Sequence, residues 1–191
     1  MNIRSYIAEN RARFIEEWAS LIRIPSVSCQ PSHKSDMLRC AERWCELLLE
    51  AGVQQAQVMP SDGNPFVYAE YTPEDVSDNL PTVLVYSHYD VMPVEPLELW
   101  HSNPWEPSIR DGRLYARGAD DDKGQAMIQV KAFEYLVKQG LMNCRVKFIF
   151  EGEEEIGSPS LETFLEKHRQ LLSCDIILVS DTSMIGKDTP S

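Results

Sequence analysis

The sequence has no apolar stretch long enough to cross a bilayer, and its N-terminal region, residues 1–21, is charged throughout. A transmembrane helix needs about 20 mostly apolar residues in a row, and a secretory signal peptide needs an unbroken apolar core. Basic residues are also scarce, because 18 Lys and Arg stand against 30 Asp and Glu, which gives a net charge of −12. Nucleic acids and anionic membrane surfaces bind basic faces. We therefore predict no nucleic-acid partner and no membrane association.

Paired cysteines are lacking as well. The five cysteines are odd in number and show no CxxC spacing, whereas the disulfide frameworks of small secreted domains use even sets. This usage favours a reducing, cytoplasmic location. The length of 191 residues and the 43% share of hydrophobic residues predict one domain, or most of one, with a real core.

Three short apolar runs each end in acidic residues or a histidine. They occupy residues 83–86, 146–150 and 176–179, and runs so rich in β-branched and aromatic residues predict buried strands. A helical pattern at 125–138, between the first two runs, predicts a βαβ arrangement. Ligands of open α/β sheets bind at the carboxyl ends of the strands. The side chains that follow the runs are His88 and Asp90, Glu153 to Glu155, and Asp181.

Acids gathered at one sheet edge predict a bound cation, since like charges repel strongly at short range in a low-dielectric site. Imidazole and carboxylate ligands together suit zinc, with manganese or cobalt as alternatives. Asp90 lies two residues after His88, on the same side of the strand, where it can hold the second ring nitrogen. Each motif alone also fits an ordinary surface role, such as a surface histidine beside a turn aspartate or a solvated acidic loop.

Three aspartates, Asp120, Asp121 and Asp122, stand just before the predicted helix. A helix N-cap accounts for one or two of them. A further carboxylate at this point can bridge two cations, which a histidine cannot. Of two adjacent glutamates after the second run, one can bind metal while its neighbour acts as general base beside a metal-bound water.

The motifs at residues 87–90, 118–124, 151–158 and 181 resemble, in order and spacing, those of one known family. It is the co-catalytic zinc exopeptidase family that contains carboxypeptidase G, carnosine-type dipeptidases, aminoacylases and succinyl-diaminopimelate desuccinylase. The aspartate at position 181 and the segment 100–105 are most similar to the dipeptidase branch. The resemblance implies a three-layer α/β/α fold with a largely parallel central sheet and two zinc ions at its edge.

The resemblance also implies a role for each site residue. Asp121 bridges the two metals, Asp90 orients His88, and Glu154 is the general base. A cis peptide between Asp121 and Asp122 is implied as well. The implied metal ligands are His88 and Asp181 for the first metal, Glu155 for the second, and Asp121 for both.

The activity implied by the resemblance is that of a metallo-exopeptidase that hydrolyses the amide bond of dipeptides or short peptides. Two alternatives stay open, an N-acyl-amino-acid deacylase of the same family and a non-catalytic, truncated metal-binding domain. The family has a further histidine ligand and an inserted lid domain that dimerises, and neither has a counterpart here. We therefore expect residues 1–191 to be the N-terminal portion of the catalytic domain, inactive alone, from a protein that forms homodimers through the lid.

Overall fold

The computed structural model describes residues 2–74, 79–186 and 189. The composition of residues 73–81 predicts an acidic loop and that of residues 185–191 predicts a loop-like tail. Parts of both segments lie outside the described residues. The helices are α1 (Ile3–Ile22), α2 (Lys34–Ala51), α3 (Lys123–Lys138) and α4 (Leu161–Lys167). The strands are β1 (Gln55–Met59), β2 (Phe66–Tyr71), β3 (Thr82–His88), β4 (Ser108–Arg110), β5 (Arg113–Tyr115), β6 (Arg145–Glu151) and β7 (Ile176–Val179). Across the described ranges, every helix is too short or too polar to span a membrane.

The main sheet has five strands in the order β1-β2-β6-β3-β7. Strand β3 runs parallel to both β6 and β7, while β2 pairs antiparallel with β6 and with β1. The predicted α/β architecture is confirmed, and the sheet is mixed, with its parallel half formed by β6, β3 and β7. Because parallel neighbours end at the same edge, this half brings the segments after β3, β6 and β7 together.

The two faces of the sheet are covered unequally. One face packs against α1, α2 and α3, around a core that includes Trp44, Phe133 and Phe148. On the other face, Phe66 of β2 stacks on Phe164 of α4, with ring centroids 3.8 Å apart. This gives the three predicted layers, with a thin layer on the α4 side.

Helix α2 ends where its sequence favours an end, but it begins one residue before the best capping residue in its sequence. Its end at Gly52, in the left-handed region with φ 113°, is the position that a glycine terminator favours. Ser35 is a residue type that favours the N-cap position, but the helix begins at Lys34, and His33 is the N-cap residue. The preceding 3-10 turn at Pro31–His33 already sets the helical direction, and His33 Nδ1 lies 2.7 Å from Asp36 Oδ2.

Strand β7 is not the buried strand that its composition predicts. Its four side chains, Ile176 to Val179, are 45% to 63% exposed. Among the described residues, β7 pairs only with β3 and forms one edge of the sheet. The run of apolar residues therefore predicted the strand correctly, but its prediction that the strand is buried was wrong.

A buried ionic cluster joins α1 to α3. Glu134 is fully buried, and its carboxylate contacts Arg13 at 2.5 Å, Lys131 at 2.8 Å and Lys138 at 2.7 Å. The Tyr6 hydroxyl also donates a hydrogen bond to it. Burial alone would raise the pKa of Glu134, but these partners outweigh burial and hold that pKa far below its usual range.

We predict that Glu134→Gln lowers the free energy of unfolding by about 3 kcal/mol, because it leaves the cations without their buried counter-charge. The folded pKa is depressed, so this contribution is present above the ordinary value of 4.5 and is lost as the pH falls. Urea unfolding at about pH 7 and about pH 3 measures both effects. Glu166→Gln on exposed α4 surface is the control, and equal losses in the two variants would contradict the prediction.

Candidate metal centre

The carboxyl edge of the parallel half-sheet gathers the predicted site residues. His88 is the last residue of β3, and Asp181 follows β7 by two positions. Glu154 and Glu155 lie in a 3-10 turn, Glu154–Ile156, just after β6. Asp121 stands before the first turn of α3. Four segments that are far apart in sequence thus meet at one rim.

Three of the predicted ligands form a tight group around the imidazole of His88. Its Nε2 lies 3.1 Å from Asp121 Oδ1 and 3.6 Å from Asp181 Oδ2. One ligand atom from each of the three residues lies within 4.8 Å of the others. Glu154 Oε2 lies 4.0 Å from the same ring nitrogen. One imidazole and two carboxylates at this spacing are a donor set that fits a zinc-type cation.

His88 is held in place through both its ring and its backbone. Its Nδ1 lies 3.1 Å from the carbonyl oxygen of Asp90 and 3.3 Å from Asp90 Oδ1. The backbone N–H of His88 donates a hydrogen bond to Asp122 Oδ2 at 3.1 Å. With Nδ1 engaged, Nε2 is the nitrogen that faces the acids, as a metal-binding histidine requires.

Asp90 does more than orient the histidine. Its Oδ1 accepts a hydrogen bond from the backbone N–H of Glu154, and its Oδ2 accepts one from that of Glu155, both at 3.1 Å. The buried carboxylate therefore connects the end of β3 to the glutamate turn after β6. This second contact was not predicted from the sequence.

Glu155 lies outside the three-residue group. Burial raises its pKa, and the negative charge of Asp121 raises it further. Its role as ligand of a second metal stays a prediction. The cis peptide implied between Asp121 and Asp122 is confirmed.

The electrostatics of the group favour a positive charge. Burial alone would lower the pKa of His88, but the hydrogen bond with Asp90 and the charges of Asp90, Asp122 and Asp121 raise it to about 10. The surrounding acids therefore favour a positive charge at the position of the ring. A metal ion competes with a proton on the ring, because histidine binds metal in its neutral form.

The residues of this arrangement lie within a segment that matches the model of a known protein family. The model described as Peptidase family M20/M25/M40 matches residues 84–189, more than half of the chain and the segment that holds every predicted ligand. The chain belongs to peptidase family M20/M25/M40. The family membership predicted from the sequence motifs is thereby confirmed.

Relatives in the M20/M25/M40 family include named dipeptidases. The chain is 30% identical over 188 residues to a cysteinylglycine-S-conjugate dipeptidase of Corynebacterium striatum, covering 97% of this chain and 40% of that protein. It is 30% identical over 204 residues to the Beta-Ala-His dipeptidase of Homo sapiens, covering 97% and 39%. The chain thus spans about two fifths of the length of these relatives.

Solved structures of M20 proteins share the fold. The crystal structure of human carnosine dipeptidase 1 matches with a TM-score of 0.84 and 28% identity, covering 96% of this chain and 41% of that one. An M20 family metallo-carboxypeptidase from Sulfolobus solfataricus matches with a TM-score of 0.80 and 32% identity, covering 92% and 38%. These likenesses support the α/β fold, a mixed sheet flanked by helices.

Sequence reasoning missed several residues that support this M20 site. Glu153, one of three adjacent glutamates, is buried and accepts backbone hydrogen bonds from Asn64 at 3.0 Å and Ser160 at 3.2 Å. Glu151 is also buried and accepts hydrogen bonds from the hydroxyls of Tyr86 and Ser158. Both stabilise the turn that carries Glu154. The sequence could not single them out, because nothing in the local pattern distinguishes a buried glutamate from its more exposed neighbours.

Lys123 is the other omission. It is fully buried, and its Nζ donates to the carbonyl oxygens of Leu21 at 2.9 Å and Ile24 at 2.8 Å. Burial lowers the pKa of this lysine. The contact joins the end of α1 to the first residue of α3, next to Asp121 and Asp122. A lysine beside a glycine gives no sequence signal for such burial.

We predict that Asp90→Ala lowers the affinity of the chain for zinc by about 10–100-fold, the usual effect of removing a group that orients a metal-binding histidine. The substitution also releases the backbone of Glu154 and Glu155. Competition with a chromophoric chelator measures the affinity, and Asp62→Ala, at an exposed position of the Ser61–Asn64 turn, serves as the control. Unchanged zinc affinity in Asp90→Ala would contradict the role assigned to Asp90.

Proposed function

We propose that the protein containing residues 1–191 is a zinc-dependent peptidase that hydrolyses the amide bond of dipeptides or short peptides. Support comes above all from one observation, that His88, Asp121 and Asp181 converge with Glu154 beside them in a chain of a peptidase family. The proposed first metal is bound by His88, Asp121 and Asp181. The proposed second metal is bound by Asp121 and Glu155, with manganese or cobalt as alternatives to zinc.

The proposed chemistry divides between metal and protein. When bound, the metal pair supplies Lewis acidity to the substrate carbonyl and lowers the pKa of the attacking water. Glu154 takes the proton from that water and then delivers it to the leaving amine nitrogen. Its side chain is 40% exposed and its Oε2 lies 4.0 Å from His88 Nε2, so it borders the site and is open to substrate. Asp90 holds the backbone N–H of Glu154 and so fixes the base.

Dipeptides are the substrate class that the relatives support best. The two curated relatives described above are named for dipeptide or cysteinylglycine-conjugate hydrolysis. An N-acyl-amino-acid deacylase would use the same metals with a different substrate pocket. A non-catalytic metal-binding domain would have no need of a glutamate beside the ligands, and Glu154 therefore favours catalysis.

The proposal also covers the domain to which residues 1–191 belong, the location of the protein and its oligomeric state. We infer that residues 1–191 hold the first part of a catalytic domain, because the matches cover nearly all of this chain and about two fifths of each relative. A cytoplasmic location follows from the free cysteines and the lack of paired cysteine spacing. Homodimer formation is proposed on the family resemblance alone.

The roles of the two glutamates can be separated by substitution. In the protein at its full natural length, loaded with zinc, Glu154→Gln should lower kcat for a dipeptide by about 10²–10⁴-fold while metal content stays unchanged, because a base is lost and no ligand. Glu155→Gln should instead lower the occupancy of one metal. Kinetics on a dipeptide panel, with N-acetyl amino acids as the competing substrate class, and elemental analysis of dialysed protein give both readouts.

Three outcomes would contradict these assignments. Loss of zinc from Glu154→Gln as readily as from Glu155→Gln would make Glu154 a ligand. Turnover of N-acetyl amino acids in place of dipeptides would identify a deacylase. Zinc binding without turnover of either substrate class would leave a metal-binding domain.

A further inference from the structure

The loop that carries Asp181 receives little support from its own strand. Strand β7 pairs along one edge with β3, and its four apolar side chains are 45% to 63% exposed. The side chain of Asp181 is itself 28% exposed. Yet its Oδ2 lies 3.6 Å from His88 Nε2. Packing of β7 alone does not account for that placement.

Two glutamines of α3 hold the loop on either side of Asp181. Gln125 Oε1 accepts a hydrogen bond from the backbone N–H of Thr182 at 3.1 Å. Gln129 Nε2 donates a hydrogen bond to Ser180 Oγ. The glutamines stand one helical turn apart and so share a face of α3. Asp181 lies between two residues that are both tied to that face.

The same helix positions the other two residues of the three-residue group, His88 and Asp121. Asp121 precedes its first turn, and Asp122, the N-cap residue of α3, accepts the backbone N–H of His88 at 3.1 Å. All three residues of the group are therefore positioned by the start of α3 and its first two turns. A movement of the Asp181 loop relative to α3 would widen the group around the imidazole.

We propose that Gln125 and Gln129 are positioning residues that hold Asp181 against His88 and Asp121 and thereby raise the affinity of the site for its metal. This inference rests on the metal centre in the proposed function. Both glutamines are partly exposed at the rim of the sheet, away from the buried cores. Their loss should therefore alter metal binding much more than it alters global stability.

The test uses the 191-residue chain and zinc alone. Gln125→Met and Gln129→Met keep side-chain length and remove the hydrogen bonds, while Gln125→Glu keeps an acceptor oxygen for Thr182. We expect the zinc dissociation constant to rise about 10-fold or more in each Met variant, as for other groups that orient metal ligands. Gln125→Glu should bind close to the unchanged chain. Ile128→Ala, on exposed surface of the same helix, is the matched control.

Two further readouts separate positioning from a general structural role. The visible spectrum of bound Co²⁺ should shift in the Met variants, while their melting temperatures stay near that of Ile128→Ala. Ser180→Ala should reproduce the loss seen in Gln129→Met, and the double variant should show no added loss, because both changes remove one contact.

The outcomes distinguish this inference from the proposed function. If the unchanged chain binds zinc and the Met variants bind equally well, the positioning role is wrong and the metal centre stands. Additive losses in Ser180→Ala with Gln129→Met, or a loss in Gln125→Glu equal to that in Gln125→Met, would also overturn it. If the unchanged chain binds no zinc, the metal centre itself is wrong.

Discussion

Mutual repulsion among carboxylates is the constraint that governs this sheet edge. Asp121, Asp181 and Glu154 all approach the single imidazole of His88 within 4.0 Å. Acids held this close favour a cation among them, and without one they draw a proton onto the ring. The buried acids behind them, Asp90 and Glu153, avoid the same problem by accepting backbone N–H groups. The acids at the rim thus fall into two groups. One group accepts hydrogen bonds from the backbone, and the other is available to bind a metal.

The sequence predicted much of this arrangement because its signals are local. An apolar run followed by His88, or by Asp181, identifies a strand and the side chain at its end without knowledge of the rest of the chain. The parallel order of β6, β3 and β7 then brings those ends together. The spacing of the motifs identified the family, since four segments in a set order are a far stricter pattern than any one of them.

What the sequence could not predict depends on contacts between distant segments. Glu153 and Glu154 are adjacent and chemically identical, yet one accepts the backbone N–H of Asn64 and the other faces the rim. The apolar run of β7 predicts burial, but burial depends on which element lies next to the strand. The glutamines of α3 carry no motif of their own, because their partners follow β7, more than 50 residues away.

The buried contact of Lys123 has a consequence for how distant segments of the chain depend on one another. Its ammonium group reaches carbonyls 99 and 102 positions earlier in the sequence, so the turn that bears Asp121 is complete only after α1 has docked. Closing a loop of that size costs entropy before any contact is gained. The geometry of the rim therefore depends on contacts between segments about a hundred residues apart. A chain in which α1 is not docked lacks both carbonyl partners of Lys123, so a substitution that loosens α1 also disturbs the turn that bears Asp121.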